Sequence, residues 1–110
     1  MTNYEFGDVL LLNAFPYSHL DGVKKRPALV LADTGDQDLV LARITSEEPR
    51  DTYDIPLTRW KENGLLLPST VRVSKLATLG KRLVLKKLGK LGSPDRRKIS
   101  ALLKNLFAGN

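Results

Sequence analysis

Short apolar runs, each bounded by charged residues, glycine or proline, follow one another along most of the chain. The clearest of them occupy residues 9–15, 27–32, 38–44 and 55–57. Runs of this length with such boundaries are typical of buried β-strands, because they are too short for an amphipathic helix. The second and third runs are separated by residues whose turn chemistry predicts a hairpin, namely Asp33, Thr34, Gly35 and Asp36.

Residues 68–79 (PSTVRVSKLATL) mix polar and apolar positions in the alternating way of a half-buried strand. The alternation predicts one shared face for three polar side chains, those of Thr70, Arg72 and Ser74. Before this strand, residues 58–64 predict a single helical turn that ends at Gly64. After it, residues 83–91 predict a further strand or a short helix, because two glycines argue against a long helix.

The last part of the sequence predicts an amphipathic helix. Its start is indicated by Ser93 as a cap, Pro94 in the first helical position and Asp95 at the positive end of the helix dipole. Five apolar residues recur at the spacing of one helical face: Ile99, Leu102, Leu103, Leu106 and Phe107. Four basic side chains are left to solvent, those of Arg96, Arg97, Lys98 and Lys104. Several short strands with one such helix predict a mainly β fold, a small closed β-barrel with an amphipathic C-terminal helix.

Composition limits the chemistry that the chain can carry. With 110 residues, 42% of them hydrophobic, the chain can bury one ordinary core, so a single domain over residues 1–110 is expected. The absence of cysteine excludes disulfides and thiolate sites, and the single histidine, His19, cannot build a metal site alone. Neither a cofactor nor a metal is therefore expected. The apolar runs are too short for a membrane span and the first residues are acidic, so a cytoplasmic protein is expected.

Charge is unevenly distributed along the sequence. The whole chain has a net charge of +6, but residues 1–63 hold 7 Lys/Arg against 11 Asp/Glu, whereas residues 64–110 hold 11 against 1. By subtraction the two parts carry −4 and +10. A strongly basic part would attract polyanions or an acidic partner in a salt-dependent way, although a solvated lysine face would have the same composition.

Arg26 and Thr45 are the polar residues that the predicted hairpin brings together. Arg26 stands where the second strand begins, and Thr45 stands where the third strand ends. A guanidinium is a permanent charge that matches phosphate oxygens, and a hydroxyl can both donate and accept. The pair is therefore a candidate site for a phosphodiester.

Five segments, taken in order and spacing, resemble the MazF/PemK family of toxin endoribonucleases: GDVLLLNAFPYS, KKRPALVL, ARITS, LLLPSTVRVSKLATL and KKLGKL. Together they extend over nearly the whole chain. The resemblance implies an SH3-like barrel with added helices and a homodimer. It also implies metal-independent cleavage of single-stranded RNA, and inhibition by a cognate antitoxin.

The resemblance also implies roles for particular residues. It places Arg26 and Thr45 at catalytic positions and Arg72 at a basic position that some members use. Ser74 stands where PemK-like members often carry an acid, so the proton-transfer roles are open, and His19, with Asp21 nearby, becomes a candidate for them. The other RNA-contact candidates are Lys24, Lys25, Ser46 and Tyr17, with Arg72 and Ser74. Phe15 and Trp60 are aromatic residues that suit the core better than base stacking.

The implied reaction needs no metal. The 2′-hydroxyl of the RNA would attack the adjacent phosphorus and leave a 2′,3′-cyclic phosphate and a 5′-hydroxyl, while Arg26 stabilises charge and Thr45 holds a phosphate oxygen. Two other hypotheses fit the sequence. A CcdB-like protein of the same barrel type would poison DNA gyrase. A catalytically silent barrel would bind RNA without cutting it, consistent with the missing acid at Ser74.

Overall fold

A computed structural model describes residues 2–13 and 25–109. In this part of the chain it contains six strands, a short 3₁₀ turn and one helix. The strands are β1 (Asp8–Leu12), β2 (Arg26–Ala32), β3 (Asp38–Thr45), β4 (Asp54–Pro56), β5 (Thr70–Gly80) and β6 (Val84–Lys90). The 3₁₀ turn is Lys81–Leu83, and the helix, α1, is Ser93–Phe107. The segment at residues 83–91, predicted as strand or short helix, is therefore mostly strand.

The strands form one antiparallel sheet in the order β4-β5-β3-β2-β1-β6. The mainly β fold with a C-terminal helix is confirmed, but the prediction of a closed barrel is wrong. Among the described residues β4 and β6 are the sheet edges and do not pair with each other. Strand β4 has only three residues and ends at Pro56, which has no N–H to donate to a further strand.

Apolar side chains cover both faces of the central strands. On one face Val9, Leu29 and Val71 belong to a cluster that includes Ile99 of α1. On the other face Leu10, Leu12, Ala28, Val30, Leu39 and Leu41 form a second cluster. Successive strand residues point to opposite faces, so two buried faces produce the continuous apolar runs of β1 and β2.

The β2–β3 hairpin is confirmed, and two aspartates shape its turn. Asp33 accepts a hydrogen bond from the Gly35 N–H at 2.8 Å, and Asp36 accepts one from the Asp38 N–H at 2.9 Å. Gly35 has a φ of 94°, a conformation that glycine adopts without strain. Asp33 also accepts a bond from the Tyr4 N–H at 2.7 Å, which ties the hairpin to the segment before β1.

The Asp33 carboxylate gives the fold a testable dependence on pH. Backbone N–H groups of Tyr4 and Gly35, and then the Lys81 side chain, hold its pKa below the ordinary value. Its contribution to stability is therefore complete above the unfolded pKa of about 3.9 and is lost as pH falls through the lower folded value. In urea unfolding from pH 7 to pH 2, Asp33→Asn is expected to be less stable at neutral pH and to lose less stability in acid. Asp36→Asn is the control, and equal acid sensitivity of wild type and Asp33→Asn would contradict the expectation.

Strand β5 contains an irregularity that changes which residues it buries. In the pairing with β3, Ala42 lies opposite Leu76 and the next residue, Arg43, lies opposite Arg72. Three residues of β5, 73–75, are therefore left without a partner on β3. Arg72 is wholly buried, whereas Ser74, inside the irregular stretch, is exposed. The predicted shared face of Thr70, Arg72 and Ser74 therefore does not extend to Ser74, because regular alternation stops at the bulge.

Helix α1 forms where the sequence predicts it, with two differences at its ends. Gly92 is the N-cap without a side-chain cap bond, and Ser93 is already helical, so the prediction that Ser93 caps the helix is wrong. Asp95 of the first turn is buried and accepts bonds from the Thr58 N–H and hydroxyl, both at 3.2 Å. Ile99 is buried, but Phe107 is 72% exposed, so the packed face ends before it. No helix in the described residues has the length and apolar character needed to cross a membrane.

The predicted turn at residues 58–64 packs against the edge strand β6. The Asn63 side chain donates to the Lys90 carbonyl at 2.9 Å. Gly64 has a φ of 88° and ends the turn, and a Cβ at this position would lie 2.3 Å from the Leu88 carbonyl oxygen. A Cβ on Gly89 would lie 2.5 Å from the Asn63 carbonyl oxygen, so two glycines allow the two backbones to meet.

Candidate functional site

The register of the hairpin brings Arg26 and Thr45 to the same level in neighbouring strands. Ala28 pairs with Arg43, and the same register continued by two residues sets Arg26 opposite Thr45. Leu12 pairs with Arg26 on one side, and Thr70 pairs with Thr45 on the other. Directly opposite residues in an antiparallel pair have Cβ atoms about 4.5–5.5 Å apart on the same face. The predicted proximity of Arg26 and Thr45 follows from this register, and their catalytic roles stay predictions.

The two side chains have different local settings. Arg26 is half-buried at the first residue of β2. Thr45 is 9% exposed at the last residue of β3, and its hydroxyl accepts a hydrogen bond from the Glu47 N–H at 3.2 Å. A hydroxyl that accepts still has its own hydrogen to donate. The arrangement offers a permanent cation and an oriented O–H donor, as required to hold two oxygens of a phosphodiester.

A cleft of about 320 Å³ opens beside Thr45. Its polar lining comes from Thr45, Ser46, Ser69 and Lys86. Its apolar walls are Leu11, Pro27, Leu65, Leu66, Leu67 and Leu88. Leu66 is 92% exposed and Leu67 is 57% exposed, so this wall of the cleft presents apolar surface to solvent. Ser46, predicted to contact RNA, therefore lies at a cavity that reaches the Thr45 end of the sheet.

A second cleft, of about 230 Å³, lies on the other side of Ser46. Glu47, Ser69 and Thr70 contribute polar groups to it. Trp60 also lines this cleft. Its side chain is half-buried and packs against the core cluster that includes Ile99 of α1. The core placement predicted for Trp60 is thus consistent with the structure.

Arg72 lies in a buried ion cluster and not on an open surface. Its Nη1 is 2.5 Å from Asp54 Oδ2 and its Nη2 is 2.5 Å from Glu47 Oε1. Sequence reasoning did not identify Glu47 and Asp54 as partners. A buried arginine on a central strand must have carboxylate partners, and acids stand near both ends of the β3–β4 connection, so that charge pattern was the available signal.

The other predicted residues divide into exposed ones and ones outside the described part of the chain. Lys25 is exposed just before β2, and Ser74 is exposed within β5. His19, Tyr17 and Lys24, together with Phe15 and Asp21, lie outside the described residues. The role of His19 in proton transfer accordingly stays a prediction.

Ion pairs between acids of residues 1–63 and lysines of residues 64–110 neutralise part of the positive charge of the basic part. Lys81 pairs with Asp33, Lys87 with Asp8 and Lys90 with Glu5. The bond and charge of Lys90 hold the pKa of Glu5 below its usual value. Exposed cations nevertheless remain on α1, at Arg97, Lys98 and Lys104. Within the described residues no group of three or more His, Cys, Asp or Glu could hold a metal ion.

Comparison with known families gives one match over most of the chain. Residues 5–107 match the family of PemK-like, MazF-like toxins of type II toxin–antitoxin systems. No curated protein matches the sequence significantly.

Solved structures share the fold at low sequence identity. An endoribonuclease in complex with its cognate antitoxin, from a mycobacterial species, is 19% identical, with a TM-score of 0.77 over 98% of both chains. A MazE–MazF complex from Deinococcus radiodurans is 18% identical, with a TM-score of 0.77 over 97% of both chains. The Mycobacterium tuberculosis toxin MazF-mt6 is 22% identical, with a TM-score of 0.70 over 92% of this chain and 98% of its own. At such identities the likeness establishes the fold alone.

Proposed function

The chain belongs to the family of PemK-like, MazF-like toxins of type II toxin–antitoxin systems, and we propose that it is an endoribonuclease that cuts single-stranded RNA at a specific sequence without a metal ion. The observation that carries the proposal is the register that sets Arg26 opposite Thr45, a residue that lines an open cleft. That pair supplies a permanent cation and a hydroxyl donor at one end of the sheet.

The proposed reaction is an internal transesterification. The 2′-oxygen forms a bond to phosphorus, the bond from phosphorus to the 5′-oxygen breaks, and the products carry a 2′,3′-cyclic phosphate and a 5′-hydroxyl. One proton leaves the 2′-hydroxyl and one reaches the leaving oxygen, and His19 is the candidate for proton transfer. Arg26 would stabilise the negative charge that grows on the phosphoryl oxygens, and Thr45 would donate a hydrogen bond to one of them.

The cleft beside Thr45 suits unpaired RNA. Its leucine walls can contact the faces of unstacked bases, while Ser46, Ser69 and Lys86 can bond to base edges or phosphates. Contacts from Lys24, Lys25, Tyr17 and Ser74 belong to the same proposal. Duplex RNA would not expose its base faces in this way, so single strands are the expected substrate.

The proposal includes regulation by a partner. We expect a cognate antitoxin with an acidic, flexible tail that folds onto the basic surface, a homodimeric toxin, and action in the cytoplasm. The complexes with antitoxins among the structural neighbours support the antitoxin. The exposed cations of α1 and Lys86 beside the cleft fit an acidic tail.

The direct test is cleavage of a long RNA by purified protein, free of antitoxin, in excess EDTA. We expect cuts at one short sequence, with 2′,3′-cyclic phosphate and 5′-hydroxyl ends in the mapped products. Cleavage that requires added metal, or products with 5′-phosphates, would contradict the proposed chemistry.

A catalytically silent RNA-binding protein of the same fold is the second candidate, because Ser74, which is exposed, stands where PemK-like members often carry an acid. The same experiment separates the two functions. RNA that is retained in a binding assay but stays intact over long incubation would favour the silent RNA-binding protein.

A further inference from the structure

Arg72 differs from the cations of α1 in being wholly buried, with 0% of its side chain exposed. Its two terminal nitrogens bind carboxylates from different segments, Asp54 through Nη1 and Glu47 through Nη2. Asp54 is 2% exposed and Glu47 is 65% exposed, so one partner lies in the interior and the other at the surface. The guanidinium therefore extends from the sheet to the border of the candidate site.

The two carboxylates lie at opposite ends of the connection between β3 and β4. Asp54 is the first residue of β4 and pairs directly with Arg72 across the β4–β5 ladder. Its Oδ2 also accepts a hydrogen bond from the Arg50 N–H at 2.9 Å, inside the connection. Glu47 stands two residues after Thr45, where β3 ends. One side chain thus ties the start and the finish of a surface connection to a central strand.

At its start, the β3–β4 connection is hydrogen-bonded to the Thr45 hydroxyl. The Glu47 N–H donates to Thr45 Oγ1 at 3.2 Å, while the Glu47 carboxylate is bound by Arg72. A guanidinium is planar and rigid, so it fixes both the distance and the direction of the carboxylates it binds. Arg72 therefore orients Glu47, and Glu47 orients the hydroxyl of Thr45.

We propose that Arg72 is a positioning residue that clamps the Thr45–Glu47 segment for RNA cleavage and does not itself contact RNA. The inference rests on the proposed function of the Arg26 and Thr45 site. Arg72 has N–H groups to spare, but a direct phosphate contact would require the guanidinium to move from a fully buried position to the surface, away from Asp54 and Glu47. Asp54, which is 2% exposed, would then keep only its 3.8 Å contact with the exposed Arg50 side chain and the Arg50 N–H bond, which is unfavourable for a buried carboxylate.

The principal test compares Arg72→Lys with wild type in RNA cleavage and RNA binding. Lysine keeps the charge but lacks the fork, so Thr45 would be misplaced, and kcat is expected to fall about 10²-fold. Because no phosphate contact is lost, KM and the dependence of binding on salt are expected to stay unchanged. Arg59→Lys, the same substitution at an exposed arginine that pairs with Glu62 in the turn at residues 58–64, is the matched control and should behave as wild type.

A second pair of variants covers the case in which Arg72→Lys does not fold. Glu47→Gln alters an exposed side chain and keeps its shape, but it weakens the bond to Arg72, so kcat should fall by about tenfold with KM unchanged. Glu48→Gln, at the next exposed residue, is the matched control and should keep wild-type kcat.

Two results would overturn the clamp. One is an affinity for RNA that is about tenfold weaker in Arg72→Lys than in Arg59→Lys, as expected if a two-pronged phosphate contact were lost. The other is wild-type kcat in Arg72→Lys or, if that variant does not fold, in Glu47→Gln. The first result would mean that Arg72 contacts RNA directly, as the sequence predicts.

Amide hydrogen exchange tests the clamp without any RNA. In the folded variant, whether Arg72→Lys or Glu47→Gln, the amides of Glu47 and Arg50 should exchange faster, while those of β2 and β3 stay protected. Unchanged exchange at both amides would refute the clamp. If wild-type protein cuts no RNA, the proposed function fails, and the exchange measurement still decides whether Arg72 holds the connection.

Discussion

Replacing Arg26 by alanine is expected to lower the rate of RNA cleavage by about 10³-fold, because the negative charge of the transition state would lose its nearest fixed cation. Arg26 lies opposite Thr45 in the register, whereas Lys86, the cation among the residues that line the cleft, belongs to β6. The cleavage rate of Arg26→Lys should lie between those of wild type and Arg26→Ala, because lysine provides a point charge without the two-pronged fork of arginine. The measurement is the single-turnover cleavage rate in EDTA with enzyme in excess.

Arg59→Ala, at an exposed arginine of the turn at residues 58–64, is the control for the loss of one positive charge, and it should cleave at nearly the wild-type rate. Far-ultraviolet circular dichroism would establish that both variants are folded. A rate for Arg26→Ala within about tenfold of wild type would contradict the assignment, because a tenfold change corresponds to only about 1.4 kcal/mol of transition-state stabilisation.

Gly64→Ala is expected to lower the free energy of unfolding by about 2–5 kcal/mol, the sum of two separate costs. An alanine at a φ of 88° is strained by about 1–2 kcal/mol. Its Cβ would also lie 2.3 Å from the Leu88 carbonyl oxygen of β6, and relieving such an overlap costs about 1–3 kcal/mol. Urea unfolding followed by circular dichroism measures the total.

Gly35→Ala is a matched control for this prediction. Gly35 has a similar φ of 94°, but nothing lies within 4 Å of the position of its Cβ. Its alanine variant should therefore show the backbone cost alone, about 1–2 kcal/mol. Equal losses in the two variants would mean that the turn at residues 58–64 does not approach β6 as closely as the structure has it.

The features that the sequence predicts well are those with local causes. The β2–β3 hairpin follows from Asp33 and Gly35, whose turn chemistry needs no distant partner. The turn alone would set Arg26 opposite Ser46, and an irregularity between Val30 and Ala32 shifts the register by one residue to Thr45, so the centre of the candidate site was predictable to within one residue.

The features that it does not predict depend on residues far apart in the chain. The burial of Arg72 requires Asp54 and Glu47, and the bulge that separates it from Ser74 arises from pairing with β3. The open sheet depends on whether β4 and β6 pair, and the short run at residues 55–57 does not reveal that by itself. A local difference also remains, since the N-cap of α1 is Gly92 and not the predicted Ser93.

The pairing of β1 with β6 has a consequence for the moment at which the protein becomes active. Asp8 pairs with Lys90 and Leu12 with Val84. Strand β1 is therefore synthesised early, but it cannot form this edge of the sheet until β6 has been synthesised. Contacts of such sequence separation form late in folding, because a long loop must close first. For a protein proposed to cut messenger RNA, this order delays activity until the ribosome has read past residue 90 of the toxin's own message.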